Sequence, residues 1–204
     1  MPSTVQVKVM DASWLKRTMY HWAVPVGYEY ADTIFRKRQP SFGLLLRHRL
    51  AYYLVFRALK DRLGLLRIRT ASTGGAALGP DVFKFFNAMG VNLKQIYGQT
   101  EISGISCIHR EGDINFDSVG KPIPETEISL SDTGEILSRS PSVFIGYYKS
   151  PEETEKTLAG GWLHSGDAGY FTEDGHLIVI DRVKDVMHLN DATRFSPQFI
   201  ENKL

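Results

Sequence analysis

The sequence predicts an α/β fold, with strands and helices alternating in its middle and antiparallel hairpins toward its end. Three observations predict it. The alternating run at 65–71, the Gly74-Gly75 break, the helix opening at Pro80-Asp81 and the apolar run at 91–96 follow in the order strand, loop, helix, strand, which is that of a βαβ unit. From residue 118 the texture changes to short strand-like runs, separated by Ser131-Asp132-Thr133-Gly134 and by Glu173-Asp174-Gly175, both hairpin signals. The chain has 204 residues, 43% hydrophobic and 23% charged, the profile of a soluble globular domain with one sizeable core.

Taken in order, residues 11–24 read as a helix, which Pro25-Val26-Gly27 is expected to break, as Pro40 is expected to break the next. Residues 42–62 read as a long, largely apolar helix ending at Gly64. The strand at 65–71 then leads to Gly74-Gly75. Pro80 at a first helical turn and Gly90 at a helix end bound the next helix. The second strand runs over 91–96, and the loops at the carboxyl ends of such strands are where ligands bind in open α/β sheets. Ser150-Pro151-Glu152-Glu153 is a capping-box pattern with proline at the first helical position, opening a short helix through residue 158. Residues 196–201 read as the start of one more helix.

Charge is unevenly spread. Net charge is +1, yet residues 1–70 hold 13 Lys/Arg against 4 Asp/Glu, and residues 71–204 hold 11 against 19. A basic face can meet anionic lipid headgroups in peripheral contact. It can equally be a solvated helix face or pack on an acidic neighbour, and no basic-amphipathic stripe stands out in the periodicity. No nucleic-acid motif is present. No stretch is long and apolar enough to span a bilayer, and no signal peptide is visible, so the expectation is a cytoplasmic protein, with contact at a membrane surface left open. The single cysteine, Cys107, excludes an internal disulfide and suits a reducing compartment. It reads as a packed thiol. There is no Cys/His cluster at metal spacing and no GxxxxGK[ST] phosphate loop.

The strongest chemical signal is Tyr97-Gly98-Gln99-Thr100-Glu101 at the end of the second predicted strand. Glycine lets the backbone turn and approach a ligand. A hydroxyl and a carboxylate side by side suit an oxyanion and a hard cation such as Mg²⁺. Thr100 and Glu101 could instead cap a helix, and Tyr97 could be a core tyrosine at a strand end. Gly74, Gly75 and Ala76 make a loop able to present bare backbone groups, or an ordinary strand-to-helix turn. Asp167, after Ser165-Gly166, offers a carboxylate that accepts two hydrogen bonds, and Arg182 offers a planar donor fork. A surface ion pair is the plain alternative for that pair. His164 resembles a base, but a structural histidine fits better.

The stretches 72–76, 97–101, 161–167 and 181–185, in this order and spacing, resemble those of the adenylate-forming (AMP-binding) enzymes, most closely the long-chain acyl-CoA synthetases. The resemblance covers about residues 60–204. It implies a sheet-and-helix piece of the large N-terminal adenylation domain (residues 1–183), with β-hairpins near its C-terminal end, followed by a hinge and the first residues of the small C-terminal domain (184–204). It implies two half-reactions. A fatty acid attacks the α-phosphorus of ATP and releases pyrophosphate; coenzyme A then displaces AMP from the acyl-adenylate.

The residue roles it implies are specific. Gly74, Gly75 and Ala76 line the adenine and the acyl carboxylate. Tyr97 stacks on adenine within an ATP/AMP site that includes Gly98 and Gln99. Thr100 meets the α-phosphate, Glu101 holds Mg²⁺, and both are catalytic. Asp167 and Arg182 bind the ribose and phosphate, and Lys184 is the hinge. Ser165 stands where the family often has Thr. The turn Leu189-Asn190-Asp191-Ala192-Thr193 replaces a glycine-containing one. The phosphate loop and the catalytic lysine of the family are expected in a missing remainder of the enzyme, on either side of these residues, so the chain alone is expected to be an inactive internal piece. Two other readings are an acyl-adenylating enzyme that loads a carrier protein and a non-catalytic nucleotide-binding remnant.

Overall fold

A computed structural model describes residues 9–75, 78–185, 187–188 and 194–195. Its contacts divide the chain into two units.

The first unit comprises the described residues through Ser72, with Gly79–Lys94 and Glu111–Phe116. Helix α1 (Trp14–Phe35) runs through Pro25 rather than stopping there. Proline inside a helix costs about 3 kcal/mol, so something must offset it. The stripe Ala23, Val26, Gly27 and Ala31 is buried at helical spacing. Gly27 is glycine for a packing reason: a Cβ there would lie 2.8 Å from the Phe56 ring and 3.1 Å from the Ala88 side chain. Helix interior at 25–27 is therefore set by tertiary packing against local propensity. The helix closes at Lys37, whose φ is 53°, with Lys37 N–H donating to Ile34 O and Arg38 N–H to Thr33 O.

The long helix predicted over 42–62 forms with a defect. It consists of α2 (Phe42–Ala51), a π-turn at Tyr52–Phe56 and α3 (Arg57–Arg62). Ser41 caps its start by accepting from Leu44 N–H at 3.3 Å. Gly64, at φ 72°, ends it, and Leu65 N–H donates back to Lys60 O. That closure explains why 65–71 is not a strand. Leu65 is committed to the helix end and Ile68 N–H turns back to Leu65 O, leaving only β1 (Ala71–Thr73) to pair. Helix α4 (Pro80–Ala88) has Pro80 at its first turn and closes at Gly90. The buried Lys60 donates to the Gly90 carbonyl at 2.8 Å, and burial lowers its pKa. The core of this unit gathers Tyr20, Leu44, Val55, Phe56, Phe85 and Met89.

The second unit takes in Gln95–Arg110 and the described residues from Asp117 onward, with the 73–78 loop. One sheet has the order β1, β2 (Leu93–Tyr97), β3 (Cys107–Ile108), β4 (Lys121–Pro122). The last three strands are antiparallel neighbours, with Tyr97 opposite Cys107 and Cys107 opposite Pro122. The hairpin region forms a second, antiparallel sheet in sequential order: β5 (Glu127–Leu130), β6 (Glu135–Arg139), β7 (Leu163–Phe171) and β8 (Leu177–Arg182). Both predicted hairpin turns, at 131–134 and 173–175, are present between paired strands. Between β6 and β7, α5 (Pro151–Thr157) has Pro151 at its first turn, but Ser150 makes no side-chain cap. Its carbonyl instead accepts from Thr154 Oγ1 at 2.9 Å. A short pair, β9 (Met187–His188) and β10 (Arg194–Phe195), follows. The 189–193 turn and the helix start expected at 196–201 lie outside the described residues.

Cys107, Val119, Ile136 and Leu177 form the apolar core of this unit. Beside it runs a buried polar chain whose proton positions follow from its donors. Gln95 N–H donates to His109 Nδ1 (3.0 Å), so the His109 proton sits on Nε2 and goes to Ser118 Oγ (3.0 Å). Ser118 Oγ also accepts from Gly120 N–H (3.2 Å), so its own proton goes to His176 Nδ1 (2.9 Å). The chain fastens β2 from within, two residues before the strand reaches Tyr97.

Candidate active site

Four of the residues singled out in the sequence converge at the end of β2 and the paired ends of β7 and β8. Asp167 and Arg182 are cross-strand partners in register. Arg182 Nε lies 3.1 Å from Asp167 Oδ1, and Tyr97 OH donates to Asp167 Oδ2 at 2.7 Å. Both oxygens of one carboxylate are thus held, each by a different strand. Arg182 Nη1 also donates to Ser165 O at 3.1 Å, and Gln99 Nε2 donates to the same carbonyl at 3.4 Å. Ser165 ties the turn internally, its Oγ accepting from Asp167 N–H at 3.0 Å.

Electrostatics are set by burial. The Asp167 side chain is 15% exposed, and desolvation raises its carboxyl pKa against the opposing pull of Tyr97 and Arg182. Burial, then the Asp167 charge, raises the Tyr97 phenol above its ordinary value. Tyr97 is therefore a neutral donor at all physiological pH. Its ring is packed at the edge of the core containing Cys107 and Val119, while its hydroxyl holds Asp167.

The turn after β2 is tight. Thr100–Ile102 make a single 3₁₀ turn, Ser103 sits at φ 58°, and Gly104 N–H closes back on Gln99 O at 2.9 Å. This folding places the Gly104 carbonyl and the Ile105 backbone against Gly98. A Cβ at Gly98 would overlap the Gly104 oxygen and lie 2.8 Å from Ile105 Cα. Gly98 is thus required by its own loop. The sequence reading assigned it the approach to a ligand; the space beside it is filled by backbone. Gly74 is similar: a Cβ would stand 2.5 Å from Ile96 Cγ1. Gly75, at φ 85°, opens the loop away from β1. Ala76 lies outside the described residues.

Thr100 is exposed at the start of the turn, and Glu101 is half-buried. Glu101 is engaged twice: its carbonyl accepts from Phe144 N–H at 2.8 Å, and its Oε1 accepts from Tyr147 OH at 2.7 Å. That bond raises the Tyr147 pKa. Lys184 is exposed in a 3₁₀ turn, Val183–Asp185, immediately after β8. His164 is structural, with Nδ1 3.0 Å from Glu135 Oε2, while Glu135 Oε1 accepts from Gly166 N–H at 2.8 Å. Cys107 is fully buried and its thiol pKa is pushed up to about 12.

Tyr147, Glu135 and the Ser165 carbonyl were not identified from the sequence. Tyr147 had one usable signal, the aromatic pair after Gly146. Glu135 and a main-chain carbonyl have none, since each acts by pairing across strands.

The chain is similar to known proteins along most of its length. The family described as AMP-binding enzyme matches residues 21–148. The long-chain-fatty-acid–CoA ligase FadD15 of Mycobacterium bovis is 35% identical over 79% of this chain and 27% of its own length. Long chain acyl-CoA synthetase 7, peroxisomal, of Arabidopsis thaliana is 37% identical over 73% of this chain and 23% of its own. Among solved structures, the anthranilate CoA ligase AuaEII in complex with anthranoyl-AMP superposes with a TM-score of 0.63 at 27% identity, over 74% of this chain and 32% of that one. The chain spans about a quarter to a third of the length of the curated relatives it matches.

Proposed function

The chain belongs to the AMP-binding enzyme family, and we propose from that premise that it carries the nucleotide-facing part of an ATP-dependent acid–thiol ligase, which activates a long-chain fatty acid as its acyl-adenylate and transfers it to coenzyme A. The observation that carries this reading is the double hold on Asp167 by Tyr97 and Arg182, which gathers three motifs into one polar cluster at a strand end.

In this reading Asp167 offers its carboxylate to the ribose hydroxyls, with Arg182 beside it for ribose and phosphate oxygens. Tyr97 bounds the adenine. Gly74, which lies against Ile96, lines the adenine and the acyl carboxylate together with Gly75 and Ala76. Gln99 braces the turn that carries Asp167. Thr100, at the exposed start of its turn, donates to the α-phosphate. Glu101 fits the role of magnesium ligand. It is held by a neutral phenol, which fixes one oxygen without neutralising the charge and leaves acceptor capacity for a hard cation. Magnesium, when bound, supplies charge neutralisation for the phosphates. Bringing two anions together demands positioning and charge compensation, and these residues supply both. Lys184 serves as the hinge between residues 1–183 of the large domain and 184–204 of the small one. Coenzyme A is the acceptor, supported by relatives named as CoA ligases, and the fatty acid is supported by the same names.

The experiment is a binding competition on the purified chain. A non-hydrolysable acyl-sulfamoyl adenosine with a long alkyl chain should bind, be displaced by AMP, and outcompete its benzoyl counterpart. Equal affinity for the two would remove the fatty-acid assignment. Failure of the folded protein to bind either, or AMP, would remove the nucleotide site.

A further inference from the structure

Strand β7 carries two residues more than its neighbour β6 can pair. Glu135 of β6 stands opposite Ala168 and Leu137 opposite His164, so Ile136 alone faces Ser165, Gly166 and Asp167. A bulge of this kind leaves ladder groups unpaired and re-aims the side chains it carries. Here it carries Asp167. The Glu135 carboxylate fills the gap in the ladder. Its Oε1 accepts from Gly166 N–H at 2.8 Å, and its Oε2 accepts from His164 Nδ1 at 3.0 Å. A side chain thus stands in for the missing ladder bonds, as a half-buried main-chain donor requires. Gly166 lies at φ 71°, a conformation that glycine enters and leaves freely, so the main chain alone does not fix the bulge.

Strand β7 lies between β6 and β8. On the β8 side Arg182 holds the Asp167 carboxylate and the Ser165 carbonyl. On the β6 side Glu135 holds the main chain one residue before Asp167. What Glu135 contributes is position rather than charge. Its charge is among the causes that raise the Asp167 pKa, so it disfavours the ionised form of its neighbour. The favourable part is the pair of hydrogen bonds to Gly166 and His164, and both fix the bulge. Position matters because the Asp167 oxygens are each half used. Tyr97 takes one direction on Oδ2 and Arg182 one on Oδ1, which leaves one acceptor direction on each oxygen. Two hydroxyls on adjacent carbons can meet both only if the carboxylate plane is held.

Resting on the ribose role proposed for Asp167, we infer that Glu135 is a positioning residue of the site: by bracing the bulge at Gly166 it aims the free acceptor directions of Asp167 at the two hydroxyls of a ribose. The readout is sugar preference, which a loss of stability alone does not move. Displacement of the acyl-sulfamoyl adenosine from the whole chain by AMP and by 2′,3′-dideoxy-AMP gives the ratio of their two Kd values. In the wild type, loss of both hydroxyls should weaken binding at least about tenfold, as for hydrogen bonds to a charged acceptor. Glu135→Ala should bring the ratio to within about twofold of unity, because a misaimed carboxylate no longer distinguishes the sugars. Glu135→Asp keeps the charge but falls one methylene short of Gly166, and should do the same. Glu135→Gln keeps the length and the acceptor for Gly166 N–H, and its amide donates to His164 once that ring switches tautomer, so it should restore the wild-type ratio. Ile136→Val is the control: it trims a fully buried core residue next in the same strand, and should lower the melting temperature without moving the ratio. Should Glu135→Ala not fold, the Asp and Gln variants carry the comparison. A wild-type ratio in Glu135→Asp, a flattened ratio in Glu135→Gln, or an equally flattened one in Ile136→Val would overturn the positioning role while leaving Asp167 on the ribose. A wild type that binds both nucleotides equally, or neither, would remove the ribose role of Asp167 and the role of Glu135 with it.

Discussion

Asp167→Asn separates what the site does for the fold from what it does for a ligand. In the fold this carboxylate has a phenol at 2.7 Å and a guanidinium at 3.1 Å. Asn keeps the shape and one acceptor. Because the Arg182 side chain is 57% exposed, the lost ion pair is worth about 0–1 kcal/mol. Exchanging a charged for a neutral acceptor at Tyr97 costs about 1 kcal/mol. Burial works the other way and is the largest cause acting on Asp167, raising its pKa from the ordinary 3.8. A raised pKa means that the fold holds the ionised form less well than the unfolded chain does. The stability this carboxyl contributes is therefore present below its unfolded pKa and lost as pH rises through the folded one. At neutral pH the charge is a net cost, and Asn removes it. Asp167→Asn should leave the melting temperature unchanged or raise it by up to about 4 °C, the shift expected for about 1 kcal/mol in a chain of this size. The difference should narrow as pH falls and Asp167 itself becomes neutral. A ribose diol, however, needs two acceptors on a charged group. Losing the charge and one acceptor should cost about 2–3 kcal/mol, roughly 30- to 150-fold in Kd. Scanning calorimetry against pH, with titration of the acyl-sulfamoyl adenosine, measures both. A melting temperature lowered by more than about 4 °C with unchanged affinity would refute the reasoning and make Asp167 a structural residue.

Four further outcomes follow from the same geometry. Carried in an enzyme of its relatives' full length, as the activity tests that follow also require, Glu101→Gln should cut fatty-acid-dependent exchange of pyrophosphate into ATP by at least about 10²-fold, and normal magnesium dependence in the mutant would contradict the metal role. Tyr147→Phe removes the bond that aims Glu101 and should raise the magnesium concentration for half-maximal exchange about tenfold, with melting unchanged; an effect on melting alone would leave Tyr147 a packing residue. Gly98→Ala should destabilise by about 2 kcal/mol or more in chemical denaturation, because its Cβ meets backbone that cannot swing away; a neutral result would mean that the 99–104 turn is looser than drawn. Lys184→Pro should slow adenylation or thioester formation far more than the other, since proline fixes φ near −65° at the proposed hinge; equal slowing of both would place the hinge elsewhere.

Elements whose determinants are local could be read from the sequence. Schellman-type helix ends at Gly64 and Gly90, the first-turn Pro80 and Pro151, and the two hairpin turns each rest on a residue with one conformational preference. Two expectations failed, one to distant packing and one to a competing local signal. Pro25 and Gly27 look like a break, but the helix continues because Gly27 lets Phe56 and Ala88 close on it, which cannot be seen within a window of a few residues. Residues 65–71 alternate like a strand, but the Gly64 closure takes Leu65 first.

The site divides along the same line, for a chemical reason. Asp167, Arg182 and Glu101 could be proposed from the sequence because few other side chains could do what a carboxylate or a guanidinium would do there. Tyr147, Glu135 and the Ser165 carbonyl were not, because each serves by bracing a neighbour distant in the sequence. Gly98 has a second reason that the sequence does not show: glycine reports a missing side chain, and the structure reveals that the Gly104 carbonyl fills its place. Tyr97 shows why such ambiguity is physical. A tyrosine at a strand end can wall a core or serve a ligand, and here the ring does the first while the hydroxyl fixes Asp167. Because burial raises the Tyr97 phenol above its ordinary value, that hydroxyl stays a neutral donor to Asp167 at physiological pH. A half-buried carboxylate held by two partners, with burial raising its pKa, is the residue whose proposed binding role is tested first.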